Sequence, residues 1–562
     1  MLKQTFHFLI SLQTGYVEPG RETTAAFINN FKSPYSLLLI VVPTLGGLAS
    51  GLLTSFIAPE TMGEGTDAMI RAFHYHGSYV RPRVPLVKMV ASVLTIGSGG
   101  SAGKEGPISQ IGAGFGSILA TILKLRPRER RLLVLAGAAG GIGAIFHAPL
   151  GAALFAPEVL YRSTELEFEA ILPCVVSSIV AYSIFSLVYG RQPLFYPGPV
   201  DFTLPNELVP FAVFGVFLAV MGYLYIKMFH GVRHHLFGRL KIPRALKPAL
   251  GGLLVGLILY IYPQVSNGGY GWIQVALEGK AFWYIMLLLG VLKMVATSLT
   301  LNSGGSGGAF GPSVFMGAML GGAFGALGQQ IAPGWVIHPQ AFAVVGIGGF
   351  FAGVAKTPLA AIIISSEMCA SYSLLVPLML VSAINLLILG RATLYDEQVL
   401  CRVVSPAHVR EFARGLLQTS RVYEAVQERP VTLIPADMPF GELVKKVTNS
   451  SESYFPVVNH DGRMIGILSI NDIREVLFED SLNHLIRASD VATLEVEKVY
   501  LDDTLQTALD KMASLQVDEL PVVRRQSPEQ IVTMISKREI ISYYHSHLAE
   551  LPTPSSRRTT SS

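Results

Sequence analysis

Charge is scarce in this 562-residue sequence: Asp, Glu, Lys and Arg together make up 15% of it, against about 25% in soluble globular domains. The scarcity is uneven. None of the four occurs from Met294 to Ala355, from Leu132 to Pro157, from Ala170 to Gly190 or from Met368 to Gly390. A helix crosses a bilayer with about 20 apolar residues, so each stretch holds at least one membrane helix, and a wholly soluble protein is excluded. Cysteine is also rare. Cys174, Cys369 and Cys401 stand far apart, which excludes a disulfide framework and a CxxC metal site. HExxH and P-loop patterns are missing, and with them the usual signatures of a membrane metalloprotease or an NTPase. No cleavable signal peptide is legible, and Met1 to Gly15 reads as the end of an amphipathic helix.

The charge that is present is placed informatively. The net charge of +4 is mild. The basic runs Lys124 to Arg131 (KLRPRERR) and His234 to Arg244 (HHLFGRLKIPR) lie between apolar stretches. Short Lys/Arg-rich loops stay cytoplasmic. Nucleic-acid binding is the other reading of such runs, and the surrounding lipid-soluble sequence argues against it. Composition changes near Tyr395, from apolar and Gly-rich to charged and mixed. This predicts an all-helical membrane domain over about 1–400, a cytosolic α/β domain over about 420–550, and a disordered tail over 551–562.

Both domains repeat themselves. Ser98 to Pro107 (SGGSAGKEGP) recurs 205 residues later as Ser303 to Pro312 (SGGSGGAFGP). Gly137 to Glu158 (GAAGGIGAIFHAPLGAALFAPE) resembles Gly346 to Glu367 (GIGGFFAGVAKTPLAAIIISSE), with Pro149-Leu150 matching Pro358-Leu359 and Glu158 matching Glu367. Two matching pairs in register predict a duplicated unit, about 37–190 and 208–395. Transporters use such repeats in opposite orientations, with the site at their interface. In the soluble part, Tyr454 to Val458 followed by Ile465 to Asp472 has the same plan as Glu519 to Val523 followed by Val532 to Glu539. Each reads as strand, turn, strand, helix start, over about 429–480 and 491–548. Ser469 and Ser536 each precede an acid by three residues, as in a helix capping box.

A dry bilayer tolerates open backbone only where protein or a water cavity covers it. Gly-rich breaks therefore need a reason. A helix N-terminus offers unpaired N–H donors and partial positive charge to an anion. Gly103 and Gly106 are expected to let the chain turn there, and Pro107 suits the first turn of the new helix. Gly308, Gly311 and Pro312 repeat the arrangement. Two such helix starts at mid-membrane bind an anion without a fixed full charge, which suits passage of the ion. Close helix packing by small residues is the structural alternative. Glu105 is the sharpest residue, because an acid inside a membrane segment is a functional candidate. Placed among anion-binding amides, its carboxylate is expected to take the anion's place and to leave when protonated, acting as gate and proton carrier. A structural pair with Lys104 is the plainer reading.

These residues carry a resemblance. Gly103-Lys-Glu-Gly-Pro107 and Gly308-Ala-Phe-Gly-Pro312 resemble two signature motifs of the CLC family of chloride channels and chloride/proton antiporters, and Leu394-Tyr395 resembles its conserved tyrosine region. The resemblance runs from about Leu37 to Tyr395. The paired soluble repeats look like the CBS domains that follow the membrane part in many members. The resemblance implies the CLC fold of two inverted repeats, and a homodimer in membrane lipid with one chloride pathway per subunit. It implies no required cofactor, no metal and no enzymatic activity. Glu105 becomes the gating glutamate. Gly103, Lys104, Gly106, Gly308, Ala309, Phe310 and Gly311 line the anion path, with the N–H groups of Ala309 and Phe310 at the central site and the Tyr395 hydroxyl on the same ion. An interfacial aromatic anchor is the plainer reading of Tyr395. At the CBS pair an adenine nucleotide is implied, with Asp472 on ribose, Ser469 near the phosphates, and Ser536 and Glu539 in the second repeat. A purely structural module is the alternative. The compact loops suit a bacterial inner membrane with the CBS pair cytoplasmic.

Three departures stand out. The family's Gly-Ser-Gly-Ile-Pro motif is matched by Gly63-Glu-Gly-Thr-Asp67, so Glu64 takes the place of the anion-binding serine. It is expected to be protonated or turned away when an anion binds, or to make transport depend on pH. A solvated loop acid is the alternative. The inner proton glutamate of antiporter members falls on Val159, which favours a channel, although Glu158 and Glu64 offer other proton routes. Of the family's first helix only something like its end, Phe6 to Leu12, is expected, so that either the chain begins late or that helix is reduced. A CBS-linked divalent cation channel is the remote alternative, with Glu64, Glu105, Glu158 and Glu367 as its acids.

Overall fold

The computed structural model describes residues 37–408 and 415–550, apart from 199, 201, 203–204, 337, 428, 451, 471 and 474–485. The expectations for Phe6 to Leu12 and for the 551–562 tail lie outside the described residues. Two compact units divide near Ala407.

The first unit is helical. Its elements are α1 (Leu38–Ile57), α2 (Gly65–Tyr75), α3 (Val84–Gly97), α4 (Glu105–Ile122), α5 (Pro127–Phe146), α6 (Pro149–Glu158), α7 (Phe168–Tyr189), α8 (Leu208–Gly231), α9 (Lys247–Ile261), α10 (Tyr270–Leu277), α11 (Trp283–Asn302), α12 (Phe310–Ile331), α13 (Pro339–Ala355), α14 (Pro358–Cys369) and α15 (Leu375–Leu389). Six helical segments of the described residues are long and apolar enough to cross a membrane. They differ in place. Most of α12 is buried and most of α7 is not, as expected of a central helix and a lipid-facing one. The uncharged run 132–157 is broken once, between α5 and α6, where His147 adopts a left-handed conformation (φ 56°) before Ala148-Pro149. Lys356 (φ 61°) does the same before Thr357-Pro358, between α13 and α14. The basic run from His234 is not all loop. Its start continues α8 as a π-helical segment, Val232–Phe237.

The duplication is visible as reciprocal bonding. Ser101 N–H donates to Thr300 Oγ1 (3.1 Å), and Ser306 N–H donates to Thr95 Oγ1 (3.1 Å). Ser101 Oγ meets Thr297 Oγ1 and Ser306 Oγ meets Ser92 Oγ, at 3.1 and 3.0 Å. Each bond maps onto the other when the halves exchange, so an approximate two-fold axis passes between the Gly-rich segments. Such an axis relates the repeats of many transporters, and it lies in the membrane plane where the repeats are inverted. Small residues let backbones touch across the helices of each half. A Cβ on Gly112 of α4 would lie 2.1 Å from Gly137 O of α5, and one on Gly317 of α12 would lie 2.1 Å from Gly346 O of α13.

The second unit holds two three-stranded sheets of the same design: β1 (Ile434–Pro435), β2 (Tyr454–Val458) and β3 (Met464–Ser469), then β4 (Val499–Tyr500), β5 (Glu519–Arg524) and β6 (Ser527–Ser536). In each sheet the first pair is parallel and the second antiparallel. The expected capping boxes are formed. Asp472 Oδ2 accepts from Ser469 N–H (2.7 Å) and Glu539 Oε2 from Ser536 N–H (2.8 Å), while Ser469 Oγ and Ser536 Oγ accept from the N–H of the acid.

Candidate functional site: an anion path at the start of one helix

The site is built where the two Gly-rich segments meet. Gly65 N–H donates to Gly307 O and Gly307 N–H to Gly63 O, both at 3.1 Å, and Gly103 N–H donates to Gly308 O at 2.8 Å. Open backbone at this depth is thus paired across the halves. The expected turns at Gly103 and Gly106 lie elsewhere. The left-handed residues are Gly99 (φ 109°) and Gly304 (φ 102°), 205 positions apart. Gly103, Gly106, Gly308 and Gly311 serve close approach instead. A Cβ on Gly308 would sit 2.5 Å from Gly106 N, one on Gly106 would sit 2.7 Å from Gly308 Cα, and one on Gly103 would sit 2.9 Å from Gly311 N.

Helices α4 and α12 both start here, at Glu105 and Phe310. The prolines, Pro107 and Pro312, are each the third residue of their helix, where an N–H has no intrahelical partner to lose. Glu105 is 2% exposed. Its Oε2 accepts from Gly311 N–H (3.3 Å), and its Oε1 accepts from the Tyr270 hydroxyl. The carboxylate therefore occupies an N–H of the α12 start, a donor of the kind that suits an anion. The Lys104 ammonium lies 5.0 Å from the centre of the Tyr270 ring.

Glu64 takes a second N–H of the same start. It is the N-cap of α2: Oε2 accepts from Asp67 N–H (2.5 Å), while Oε1 accepts from Ala309 N–H (3.4 Å). It is a structured ligand of the site rather than a solvated loop acid. Two carboxylates, from residues 64 and 105, thus sit on N–H groups either side of Phe310. The Phe310 ring is buried against Phe146 (4.3 Å between centres) and Phe351 (4.0 Å).

A cavity of about 710 Å³ reaches this point; Glu64, Asp67, Arg71, Arg81, Arg233 and Tyr395 are among its lining residues. Its arginines are paired, Arg71 with Glu397, Arg81 with Glu60 and Arg233 with Asp396, so they shape the field without offering a bare charge. The Tyr395 hydroxyl is buried with no hydrogen-bond partner of good geometry, beside Thr66. A buried orphan hydroxyl costs free energy unless something accepts from it, and an anion in this cavity would. Lys88 is fully buried behind Glu64; its Nζ donates to Thr61 O (3.1 Å) and Gly63 O (3.0 Å), and its charge acts on Glu64. Its counterpart Lys293 donates to Val265 O and Ser266 O, both at 3.0 Å, and to Asn267 O. Sequence reasoning missed Lys88, Lys293 and Tyr270. The lysines had a legible signal, lone cations 205 positions apart in otherwise apolar stretches.

Glu158 lies elsewhere. Its two oxygens accept from Leu359 N–H (3.0 Å) and Ala360 N–H (2.7 Å), at the start of α14. Glu367 reciprocates on Leu150 N–H (3.2 Å) and Gly151 N–H (2.8 Å), at the start of α6. Each acid caps a helix of the opposite half. Among the described residues no three His, Cys, Asp or Glu side chains gather as a metal site requires.

The model of the family described as voltage gated chloride channel matches residues 46–389. The chain belongs to the CLC family. CLC proteins are transporters and channels, and this one is a multi-pass membrane protein for CLC-type anion transport. The CBS domain model matches 423–479 and 488–546, so a CBS pair follows the CLC part. A putative chloride channel protein ClcB-like of Ralstonia nicotianae is 32% identical over 345 residues, 61% of this chain and 80% of that protein. An uncharacterized protein of Methanocaldococcus jannaschii is 32% identical over 348 residues, 61% of this chain and 83% of that protein. Among solved structures, the fold is similar to that of a slow cyanobacterial Cl⁻/H⁺ antiporter (TM-score 0.59, 22% identity, 70% of this chain and 95% of that one). It is also similar to that of a CLC-type fluoride/proton antiporter (TM-score 0.58, 21% identity, 71% and 97%). A eukaryotic CLC transporter matches over 96% of this chain and 94% of its own, at TM-score 0.54 and 18% identity.

Proposed function

We propose that this chain exchanges chloride, or a similar small anion, for protons, with Glu105 as the gate. One observation carries the reading: the Glu105 carboxylate sits on Gly311 N–H at the start of α12, a place an anion can take only when the carboxylate leaves. Protonation removes the charge that holds it there, so anion entry and proton uptake are linked. Glu64 on Ala309 N–H puts a second carboxylate on the path, and anion occupancy of the central site requires it too to be neutralised or displaced. The antiport reading is also supported by the antiporters among the structural neighbours. The channel reading, favoured in sequence by Val159 at the usual proton-glutamate position, is the second one. Divalent cation transport is disfavoured, because the acids rest on amide donors, which attract anions.

Purified protein in liposomes, with chloride and proton movement recorded together, tests this. Antiport predicts steady uphill proton movement driven by a chloride gradient. Chloride flux without it establishes the channel. In Glu64→Ser the pH profile of chloride flux is expected to flatten, and an unchanged profile removes Glu64 from the pathway's chemistry.

The remaining readings follow the family. The chain works as a homodimer in a bacterial inner membrane, with the CBS pair on the cytoplasmic side, the side of the basic segments. An adenine nucleotide binds at that pair, near Ser469, Asp472, Ser536 and Glu539. Nucleotide titration of the full-length protein tests this last point; no saturable binding at millimolar concentration leaves the pair purely structural.

A further inference from the structure

We propose that the Tyr270 hydroxyl latches the gate, holding the ionised Glu105 carboxylate on the anion site and setting how readily it leaves. The inference rests on Glu105 being the gate. Tyr270 opens α10, directly after Gly269 in a left-handed turn (φ 68°). That turn brings the phenol back toward the start of α12. Its ring stacks on Phe195, 5.9 Å between centres and 18° from parallel, so its direction is set by packing. Its hydroxyl donates to Glu105 Oε1, while Gly311 N–H donates to Oε2. The two donors therefore grip both oxygens. A Cβ added to Gly311 would meet Glu105 Oε2 at 2.8 Å and the Tyr270 hydroxyl at 3.2 Å, so all three groups converge on one glycine.

An O–H donor to a carboxylate makes a charge-assisted bond, stronger than a neutral one. It favours the ionised form and loses much of its strength when the acid is protonated. The latch thus holds the gate shut while Glu105 is charged and releases it when Glu105 takes a proton. The groups shown against the carboxylate are Tyr270 of α10, the Gly311 peptide of α12 and, from its own segment, the Gly103 backbone. The Lys104 ammonium lies over the Tyr270 ring, and a cation on the ring face strengthens the phenol as a donor. The latch is one-sided. The position 205 residues earlier is Gly65, which has no side chain, so the repeat pattern gives no hint of it.

The test is chloride flux against pH in liposomes for wild type, Tyr270→Phe, Glu105→Gln and the double variant. Tyr270→Phe keeps the stacked ring and removes only the donor. It is expected to raise flux at neutral and alkaline pH on the order of tenfold, and to flatten the profile. In Glu105→Gln the same change is expected to do nothing further, since no ionised carboxylate remains to latch. A wild-type profile in Tyr270→Phe overturns the latch, and so does a fall in flux. If Glu105→Gln itself keeps the wild-type profile, the gate reading fails, and that failure is distinct from the latch's. Should Tyr270→Phe not fold, Lys104→Met weakens the same donor from the ring face. It must shift the profile in the same sense, and a wild-type profile there overturns the proposal.

Discussion

The two halves of the CLC unit share a scaffold and differ in charge. Both have a Gly-rich break, a helix start at its end, a threonine that accepts from the other half, and a buried lysine on a carbonyl cluster. Yet the first half supplies the carboxylates, Glu64 and Glu105, where the second half has Gly269 and Phe310, and the second half supplies the N–H groups they rest on, at Ala309 and Gly311. A symmetric frame therefore encloses an asymmetric path: donors from one side, removable acceptors from the other. Duplication gave the path its geometry, and the unequal substitutions gave it something to titrate.

That contrast can be broken most strongly at Glu105. In Glu105→Gln, proton movement coupled to chloride is expected to fall by about two orders of magnitude, read by paired ion recordings in liposomes. The lysines sharpen the contrast next. Both are buried on carbonyls, and the charge of Lys88 also acts on a carboxylate, Glu64. Lys88→Met should cost about 3–5 kcal/mol, because Glu64 is left uncompensated. Lys293→Met should cost about 1–3 kcal/mol, the price of unsatisfied carbonyls. Thermal unfolding in detergent reads both, and Glu64→Gln should recover part of the loss in Lys88→Met and none in Lys293→Met. Where the halves are alike, substitutions should be alike: Gly112→Ala and Gly317→Ala each press on a backbone oxygen 2.1 Å away and should each cost about 1–3 kcal/mol. A twofold disparity between them would show that the halves relax differently. The smallest effect belongs to the CBS pair, where Asp472→Ala and Glu539→Ala each remove one side of a capping box, about 1 kcal/mol.

Much of this was legible in sequence because it depends on local chemistry repeated twice. The Gly/Pro spacing placed both helix starts, two of the four uncharged runs fell on helices long and apolar enough to cross a membrane, α7 and α12, and the Ser-x-x-acid pairs placed the CBS helix starts. What was not legible depends on contacts across the fold. Gly103 and Gly106 suggested turns, whereas their use is to let segments 205 residues apart touch. Glu158 suggested a proton route, yet its oxygens rest on the start of α14, a partner 201 residues away. Glu64 reaches Ala309 across 245 residues. Tyr270 sits in an unremarkable GGYGW string and acquires its role only because α10 turns back over Glu105.

The exchanged caps of Glu158 and Glu367 bear on how the protein is made. The start of α6 at Gly151 emerges from the ribosome 216 residues before Glu367, the acid that satisfies it. At about 5–20 residues per second, that interval is roughly 10–40 s. For that time the α6 start is without the carboxylate that caps it in the folded protein. Closure of the two caps therefore waits on synthesis of both halves, and a ribosome stalled between them leaves α6 without the carboxylate it meets in the folded protein.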